Sequence, residues 1–313
     1  MLRSFRRADV PAFYALMTRE FPEETAVLGW HEAAFTRTVG KLWGPGYRFV
    51  LGILNAVGKP VFRFWVLEVD GQYAASAIES FGPHLAFVSS VVVAPPFRRR
   101  GFAKRVLGAC HDAAAKRGTK FVALDVLDMK TGAAALYDSL GYQTVSHSSH
   151  FVRRTTDDGP TSPAPPSVRP YERRDAEALA EIARAFAPPA REKVHPVSAG
   201  QFTVPGAVVE ALDSRTTAWV VDRGTGPLAW VRASVTPVME ASHFTAPVIR
   251  ADATPEDVAA LLATALGWSR ANGASRVVTE VLDENVRAAA ALRAAGFEVV
   301  YGSRTLARPT GVA

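Results

Sequence analysis

The sequence predicts an α/β (α+β) protein built as two tandem copies of one domain, and three observations support this prediction. The chain has 313 residues, about twice the size of an ordinary compact domain. Residues 101–142 align without a gap on residues 256–297, with ten identities in 42 positions. Residues 156–167 contain four prolines and no large apolar side chain, which is typical of an extended linker. We therefore predict domains at 1–155 and 168–313, joined by a Pro-rich linker at 156–167.

Composition and charge favour a folded cytoplasmic protein. Apolar residues make up 48% of the chain, and 36 basic against 30 acidic residues give a net charge of +6. Of these, 20 basic and 12 acidic residues lie in 1–155, so an anionic partner should prefer the first half. The single cysteine, Cys110, excludes an intramolecular disulfide and a thiolate-rich metal site, and we predict no metal. The most apolar stretch, residues 47–69, is interrupted by charges, so we expect no transmembrane segment.

Each half opens with the same elements in the same order. A short strand is followed by an aspartate, Asp9 or Asp175, placed to cap a helix whose apolar residues have helical spacing. A β-hairpin follows in each half, with Asp70-Gly71 as the turn in the first and residues 222–226 as the turn in the second. This parallel order strengthens the prediction of a duplication.

A buried strand and a basic turn come next in the first half. Residues 85–93, LAFVSSVVV, are almost continuously apolar, as expected of a strand covered on both faces. Three arginines and a glycine follow, and then a helix whose buried stripe would be Ala103, Val106, Leu107, Cys110 and Ala114. A strand, a glycine-containing basic turn and a helix N-terminus together predict a pyrophosphate site.

A solvated basic turn and a nucleic-acid patch are the alternatives for these arginines. We disfavour nucleic acid because the basic residues concentrate at one turn and form no stripe with interleaved aromatic residues.

The segment V-A-P-P-F-R-R-R-G-F-A, residues 93–103, resembles the acetyl-CoA signature of the GNAT superfamily of N-acetyltransferases, V-x-P-x-x-[RQ]-x-x-G-x-[GA]. Downstream, residues 133–142 resemble the second conserved block of that family, A-x-x-L-Y-x-x-x-G-F. Lys130 stands where the family usually has an asparagine. The resemblance covers residues 1–155 well and the second half in outline.

This resemblance implies a mixed, mainly antiparallel central sheet flanked by helices in each domain, with the fourth and fifth strands separated. It also implies acetyl-CoA as co-substrate, with its pantetheine arm on the fourth strand at Val91, Val92 and Val93. Other cofactor-binding residues would be Arg98, Arg99, Arg100, Gly101, Phe102, Ala103, Lys104, Lys130 and Tyr137.

The resemblance further implies catalysis by direct attack of an amine on the thioester. The backbone near Val91 or Val92 would stabilise the developing oxyanion. Tyr137 would protonate the leaving thiolate, although a core aromatic side chain is the alternative interpretation. For the general base we select Glu79, with Asp125 or a water chain as alternatives. Cys110 lies next to His111, but its place on the apolar stripe predicts core packing.

The second half lacks most of these residues. Ala253-Thr254-Pro255-Glu256-Asp257-Val258 replaces the arginine turn, and Leu292 replaces Tyr137, whereas Asn285 has the asparagine of the family. Acidic residues at a helix N-terminus disfavour pyrophosphate. We therefore predict a degenerate second domain without acetyl-CoA activity.

One segment of the first half bears on the chemical class of the amine acceptor. Residues 22–60 contain an aromatic cluster, Trp30, Phe35, Trp43, Tyr47 and Phe49, which suits a hydrophobic or aromatic amine of a small molecule. A homodimer or domain interface, or weak docking on a membrane, is the alternative for this cluster. Protein lysine or N-terminal acetylation, and a non-catalytic acyl-CoA sensor or scaffold, remain as alternative functions.

Overall fold

The structure is a computed structural model, and it describes residues 1–41, 62–82, 84–155, 164–203 and 214–311. The strands in chain order are β1 Leu2–Ser4, β2 Phe62–Val69, β3 Gln72–Phe81, β4 Leu85–Val93, β5 Phe121–Leu127, β6 Gln143–Arg154, β7 Val168–Pro170, β8 Arg215–Asp222, β9 Pro227–Val235, β10 Ala241–Ile249, β11 Arg276–Leu282 and β12 Glu298–Pro309. The α-helices are α1 Val10–Glu20, α2 Pro22–Leu28, α3 Glu32–Lys41, α4 Phe102–Lys116, α5 Thr131–Ser139, α6 Ala176–Arg184, α7 Pro189–Val194, α8 Pro255–Ala271 and α9 Val286–Ala294.

The chain forms two compact units, and six strands lie mainly in each. Unit 1 comprises Met1–Thr25, Glu32–Val145 and Ser303–Ala313, and unit 2 comprises Ala26–His31 and Ser146–Gly302. The strand order is β1-β2-β3-β4-β5-β12 in unit 1 and β6-β11-β10-β9-β8-β7 in unit 2. The β4–β5 and β10–β11 pairs are parallel, and the other strand pairs described within the two units are antiparallel. The predicted mixed, mainly antiparallel α/β fold is confirmed.

Each unit contains a strand from the other sequence repeat. In unit 1, Ser303 to Pro309 of β12 pair with Leu127 to Phe121 of β5. In unit 2, Ser148 to Arg154 of β6 pair with Leu282 to Arg276 of β11. The ranges 1–155 and 168–313 therefore stay a prediction about the repeated sequence segments, because the compact units combine residues of both segments. Most of the predicted linker at 156–167 lies outside the described residues.

The exchanged strands carry corresponding core residues. Leu306 of β12 is 1% exposed and packs in the core of unit 1, and Phe151 of β6 is 1% exposed in the core of unit 2. These two residues are separated by the same offset of 155 that relates the repeats. The two strands thus fill equivalent positions in the two units.

The opening of each repeat corrects the predicted helix caps. Asp9 precedes α1, but its side chain does not cap that helix. It accepts a hydrogen bond from the backbone N–H of Arg6 at 2.6 Å and pairs with Arg3 at 2.7 Å. Asp175 pairs in the same way with Arg169 at 2.7 Å. These aspartates therefore stabilise the preceding 3-10 turn and fix it to the first strand of the repeat.

Two further predictions about unit 1 are confirmed. Asp70 and Gly71 have φ values of 50° and 75°, as a two-residue hairpin turn requires. On α4, Val106, Leu107, Cys110 and Ala114 are each 0% exposed, so Cys110 is a core residue. Ala103, the other predicted member of this stripe, is only partly buried, because it lies in the first turn of the helix.

The predicted aromatic cluster is described only in part. Trp43, Tyr47 and Phe49 lie outside the described residues. The ring of Phe35 on α3 lies 5.3 Å from the ring of Tyr14 on α1, which packs these two helices together.

Candidate active site

Strands β4 and β5 pair only at their first residues and then separate. Parallel pairing joins Leu85, Ala86 and Phe87 to Phe121, Val122 and Ala123, and among the described residues it ends there. On its other side, β4 stays paired with β3 up to Val93. The edge of β4 that faces β5 therefore carries backbone N–H and C=O groups outside a strand ladder. A ligand arm with amide groups can pair with such an edge.

A β-bulge bends β4 beside this free edge. Two residues of β4, Ser90 and Val91, lie opposite the single residue Ala77 of β3. Ser90 has a φ of 52°, and this left-handed conformation costs a residue other than glycine about 1–2 kcal/mol. Bulges next to active sites redirect nearby groups, here the backbone of Val91 and Val92. The sequence did not reveal the bulge, because serine rarely adopts this conformation.

The N-terminus of α4 forms an open site for an anion. Gly101 is the N-cap residue with a φ of 78°, and no side chain caps the helix. The backbone N–H groups of Phe102, Ala103 and Lys104 therefore lack partners within the helix. A Cβ atom added at Gly101 would meet no atom within 4 Å, so the space in front of this helix end is open. The uncapped amides, the helix dipole and this open space fit a pyrophosphate.

The arginines of the turn are exposed and have different contacts. The Arg98 guanidinium forms an ion pair with Glu20 at the end of α1, and its Nε donates to the carbonyl oxygen of Val93 at 3.3 Å. The guanidinium of Arg100 lies 5.2 Å from the ring centre of Phe102. Arg98 therefore connects the end of β4, the turn and α1.

Lys130 reaches the same end of α1. It is the N-cap residue of α5, and its Nζ donates to the carbonyl oxygen of Glu20 at 3.2 Å and to Glu23 at 3.1 Å. Burial raises the pKa of neighbouring Glu24 to about 7, although the charge of Lys130 opposes this shift. Sequence reasoning missed Glu20, Glu23 and Glu24. Three glutamates within five positions are the sequence feature that could have pointed to them.

Tyr137 is buried on α5 and its ring centre lies 5.9 Å from that of Tyr142. Burial raises the pKa of Tyr137 to about 12, so its hydroxyl stays protonated at neutral pH. Within the described part of the chain this hydroxyl makes no hydrogen bond, whereas the hydroxyl of Tyr142 lies 2.7 Å from Nε2 of His111. Tyr137 thus holds a proton that no described neighbour engages.

Glu79 lies on the face of β3 that α4 covers. Its side chain is 0% exposed, and Trp65 Nε1 donates to Oε2 at 3.0 Å. Oε1 has no hydrogen-bond partner among the described residues. Burial raises the pKa of Glu79 to about 7, and the pKa of Cys110 on α4 is raised by burial and by the charge of Glu79. Its role as a base stays a prediction.

Asp125 lies on the opposite face of the sheet. Its neighbours along β5 pack in the core on the α4 side, so strand alternation directs Asp125 away from α4, where it is exposed. Thr305 of β12 pairs directly with Asp125, and its Oγ1 donates to Oδ1 at 2.7 Å. Ser89 of β4 is also exposed on this face. Because Phe87 and Ala123 are the last paired residues, Ser89 and Asp125 flank the point where the strands separate.

The helix that corresponds to α4 in unit 2 is capped. Thr254 accepts a hydrogen bond from the backbone N–H of Asp257 at 3.3 Å, and the Asp257 carboxylate accepts one from the backbone N–H of Thr254 at 3.0 Å. Arg223 pairs with the same carboxylate at 2.8 Å. The end of α8 is therefore occupied by side chains of its own unit.

The strand that corresponds to β4 in unit 2 is also engaged. Asn285 Nδ2 donates to the carbonyl oxygen of Pro247 at 3.1 Å, and its Oδ1 accepts from the backbone N–H of Ala288 at 3.2 Å. The bulge of β10 comprises Ala246 and Pro247, so Pro247 corresponds to Val91 of unit 1. The proline has no N–H, and its carbonyl is already bonded. Leu292 fills the position of Tyr137 and is 0% exposed.

Comparison with protein families now identifies the first half. Residues 14–142 match the acetyltransferase (GNAT) family. The first half of the chain belongs to the GNAT acetyltransferase family. This match supports an N-acetyltransferase of the acyltransferase class for that half, and the family uses acetyl-CoA as its acyl donor. No curated protein sequence matches the chain significantly.

Solved structures place the GNAT fold across the chain. A tandem GNAT protein from the clavulanic acid biosynthesis pathway is 17% identical with a TM-score of 0.58, and the match covers 80% of this chain and 84% of that one. A GCN5-related N-acetyltransferase from Sphaerobacter thermophilus is 16% identical with a TM-score of 0.64, covering 99% and 95%. A putative acetyltransferase from Pyrococcus horikoshii is 11% identical with a TM-score of 0.58, covering 100% and 90%. At these identities the likeness concerns the fold, which is that of tandem GNAT proteins.

The described ranges contain neither a membrane-spanning helix nor a cluster of metal-ligating side chains. No helix there has the length and apolar character needed to cross a bilayer. Those ranges also contain no group of three or more His, Cys, Asp and Glu side chains that could hold a metal ion.

Proposed function

We propose that unit 1 transfers an acetyl group from acetyl-CoA to a primary amine of a small molecule. The observation that carries this proposal is the free edge of β4 next to the uncapped N-terminus of α4. The two features suit an amide-bearing arm and a pyrophosphate in the order in which CoA presents them. We further propose a cytoplasmic location, which suits a chain whose single cysteine is buried and unpaired.

The residues present would hold the co-substrate as follows. Val91, Val92 and Val93 would pair with the pantetheine arm, and the turn from Arg98 to Lys104 would bind the pyrophosphate. Lys130 would contact a phosphate or the arm once it leaves Glu23. When bound, acetyl-CoA supplies a thioester whose carbonyl carbon an amine can attack directly.

The chain's own groups would then promote the transfer. A backbone N–H at Val91 or Val92, redirected by the bulge, would donate to the carbonyl oxygen as negative charge develops there. Tyr137 would donate its proton to the departing sulfur, because its raised pKa keeps the phenol protonated at neutral pH.

We propose that unit 2 binds no acetyl-CoA. The capped end of α8 and the bond between Asn285 and Pro247 support this view, because each occupies the counterpart of a group that unit 1 leaves open. The second repeat would then have a structural role. It supplies β12 to unit 1, and unit 2 contains β6 of the first repeat.

We expect isothermal calorimetry to find one acetyl-CoA site per full-length chain. Arg98→Ala combined with Gly101→Asp should weaken binding at least about 100-fold, because the pyrophosphate loses a cationic partner and meets a carboxylate at the helix end. Arg105→Ala is the matched control, since it removes an exposed positive charge from the same helix one turn further on. Two sites per chain, or unchanged affinity in the double variant, would contradict the proposed site.

Tyr137→Phe should lower the rate of thiol release about 10²- to 10⁴-fold, the usual contribution of a positioned general acid. The measurement is free-thiol release from acetyl-CoA across a panel of amines, with acetyl-CoA affinity determined in parallel. Affinity should stay within about threefold, since the substitution removes one hydroxyl. Unchanged turnover would remove Tyr137 from the mechanism, and acetyl-CoA binding without turnover of any amine by the wild type would favour a sensor or scaffold.

A further inference from the structure

We propose that Asp125, positioned by Thr305, binds the amine of the acceptor and takes its proton. This inference rests on the proposed acetyl transfer in unit 1 and assigns the residue that recognises the acceptor. Thr305 lies 180 positions along the chain from Asp125 and belongs to the last strand of the sequence. The acceptor site of the first repeat would therefore be completed by the end of the second repeat.

The two faces of the sheet in unit 1 carry different chemistry. Tyr137 packs with the α4-side core, and Asp125 lies on the opposite face. At a tetrahedral carbon, the attacking nitrogen and the departing sulfur occupy different corners. An acid on one face and a proton acceptor on the other can therefore act on the same carbon between separated strands.

Asp125 also lies next to the point along β5 where this strand separates from β4. Pairing of β4 and β5 ends at Phe87 and Ala123, and the next residues on the exposed face are Ser89 and Asp125. These two side chains therefore border the opening through which an amine would reach the free edge of β4. A carboxylate and a hydroxyl together suit a primary ammonium group, which has three N–H donors.

Thr305 orients the carboxylate of Asp125. The two residues are direct partners in the β5–β12 ladder, and the hydroxyl donates to Oδ1 at 2.7 Å. A threonine has few rotamers in a strand, so this hydrogen bond restricts the direction of the carboxylate. Thr305 is thus a positioning residue, whereas Asp125 would touch the substrate.

Glu79 has the wrong surroundings for the same task. It is fully buried under α4, with Trp65 as its donor and Cys110 nearby. It shares this face with Tyr137, so an acceptor entering from the exposed face would not meet it. The geometry therefore favours Asp125 over Glu79 among the carboxylates of the two strands that flank β4.

The proton balance is simple. An alkyl ammonium carries one proton more than the attacking amine, and it would lose that proton through Asp125 to solvent. As the nitrogen–carbon bond forms and the carbon–sulfur bond breaks, the nitrogen loses a second proton to the carboxylate. Asp125 then releases this second proton to solvent. Tyr137 gives one proton to the sulfur and regains one from solvent, so that the products are an amide, a thiol and one released proton.

The test measures amine acetylation by the full-length chain and three variants of the pair. Asp125→Asn should lower kcat/KM for the amine about 10²- to 10⁴-fold, with acetyl-CoA affinity unchanged. Thr305→Val should lower it about tenfold, the value of one hydrogen bond, and Thr305→Ser should restore it. The control is Glu280→Gln, which removes the corresponding carboxylate from unit 2 and should change kcat/KM less than twofold.

The outcomes separate this assignment from the proposed function. Wild-type turnover that survives in Asp125→Asn overturns the assignment and leaves the transferase intact. Equal effects of Thr305→Val and Thr305→Ser overturn the positioning role. A wild-type chain that binds acetyl-CoA but acetylates no amine overturns both proposals. Thermal unfolding of each variant checks that a loss of turnover is not a loss of fold. Asp125 is exposed and Thr305 is partly exposed, so the three substitutions should leave the fold intact.

Discussion

A chain that ends at Gly302 should lose the fold of unit 1 together with its affinity for acetyl-CoA. The missing residues include Ser303 to Pro309 of β12, which pair with the whole of β5. They also include Leu306 and Ala307, which are 1% and 4% exposed. Removing a buried leucine side chain alone costs about 2–5 kcal/mol, which is a large share of the stability of a typical domain.

The cut differs from an ordinary truncation because it removes part of the second repeat and damages the first. Near-ultraviolet circular dichroism and acetyl-CoA calorimetry should both report the loss in unit 1. A chain shortened only by residues 312 and 313 is the matched control, since it keeps all of β12. Leu306→Ala should give a milder version, with the denaturant midpoint lowered and binding retained at low temperature. Intact binding in the chain ending at 302 would contradict this account of unit 1.

Local patterns in the sequence predicted much of this fold. The bounds of β4 follow from a nearly continuous apolar run, the hairpin turn at Asp70-Gly71 from turn chemistry, and the buried stripe of α4 from helical spacing. These signals act over a few residues. The duplication followed from a long gapless alignment. Each of these features depends on neighbours in sequence or on direct repetition.

The exchange of β6 and β12 could not be predicted in this way. Both strands end their repeats with similar sequences, so either could pair with β5 by local criteria. Which one does so depends on packing between residues about 180 positions apart, such as Thr305 and Asp125. The bulge at Ser90 was also hidden, because the strand ladder imposes its left-handed backbone and the side chain gives no signal for it.

The candidate site was also predicted in part from the sequence and in part only from the structure. The resemblance supplied the turn from Arg98 to Lys104, and the structure adds that its helix end is uncapped. Sequence reasoning selected Glu79 over Asp125 as the general base. The two could not be separated by their sequence, because both are strand carboxylates and the sequence does not say which face of the sheet the acceptor approaches. Strand alternation and the core around α4 separate them only once the neighbours are known.

Glu79→Gln should make the protein less sensitive to alkaline pH. The folded-state pKa of Glu79, about 7, lies above its ordinary value of 4.5, because burial disfavours the charged carboxylate. Between these values the folded protein holds a proton that the unfolded chain releases. The stabilisation is complete below pH 4.5 and is lost as the pH rises through about 7. Glutamine cannot ionise, so the variant lacks this dependence.

The difference in unfolding free energy between variant and wild type should therefore shift by about 2–3 kcal/mol in favour of the variant between pH 5 and pH 8. Urea denaturation of both proteins at the two pH values measures it. Glu24 also has a raised pKa of about 7, so the comparison uses the difference between proteins, in which the contribution of Glu24 cancels. Glu181→Gln, at an exposed acid on α6, is the control for the exchange of a glutamate for a glutamine. Parallel pH profiles for Glu79→Gln and wild type would mean that the carboxylate of Glu79 ionises alike in the folded and unfolded chains, which its enclosure by Trp65 and α4 argues against.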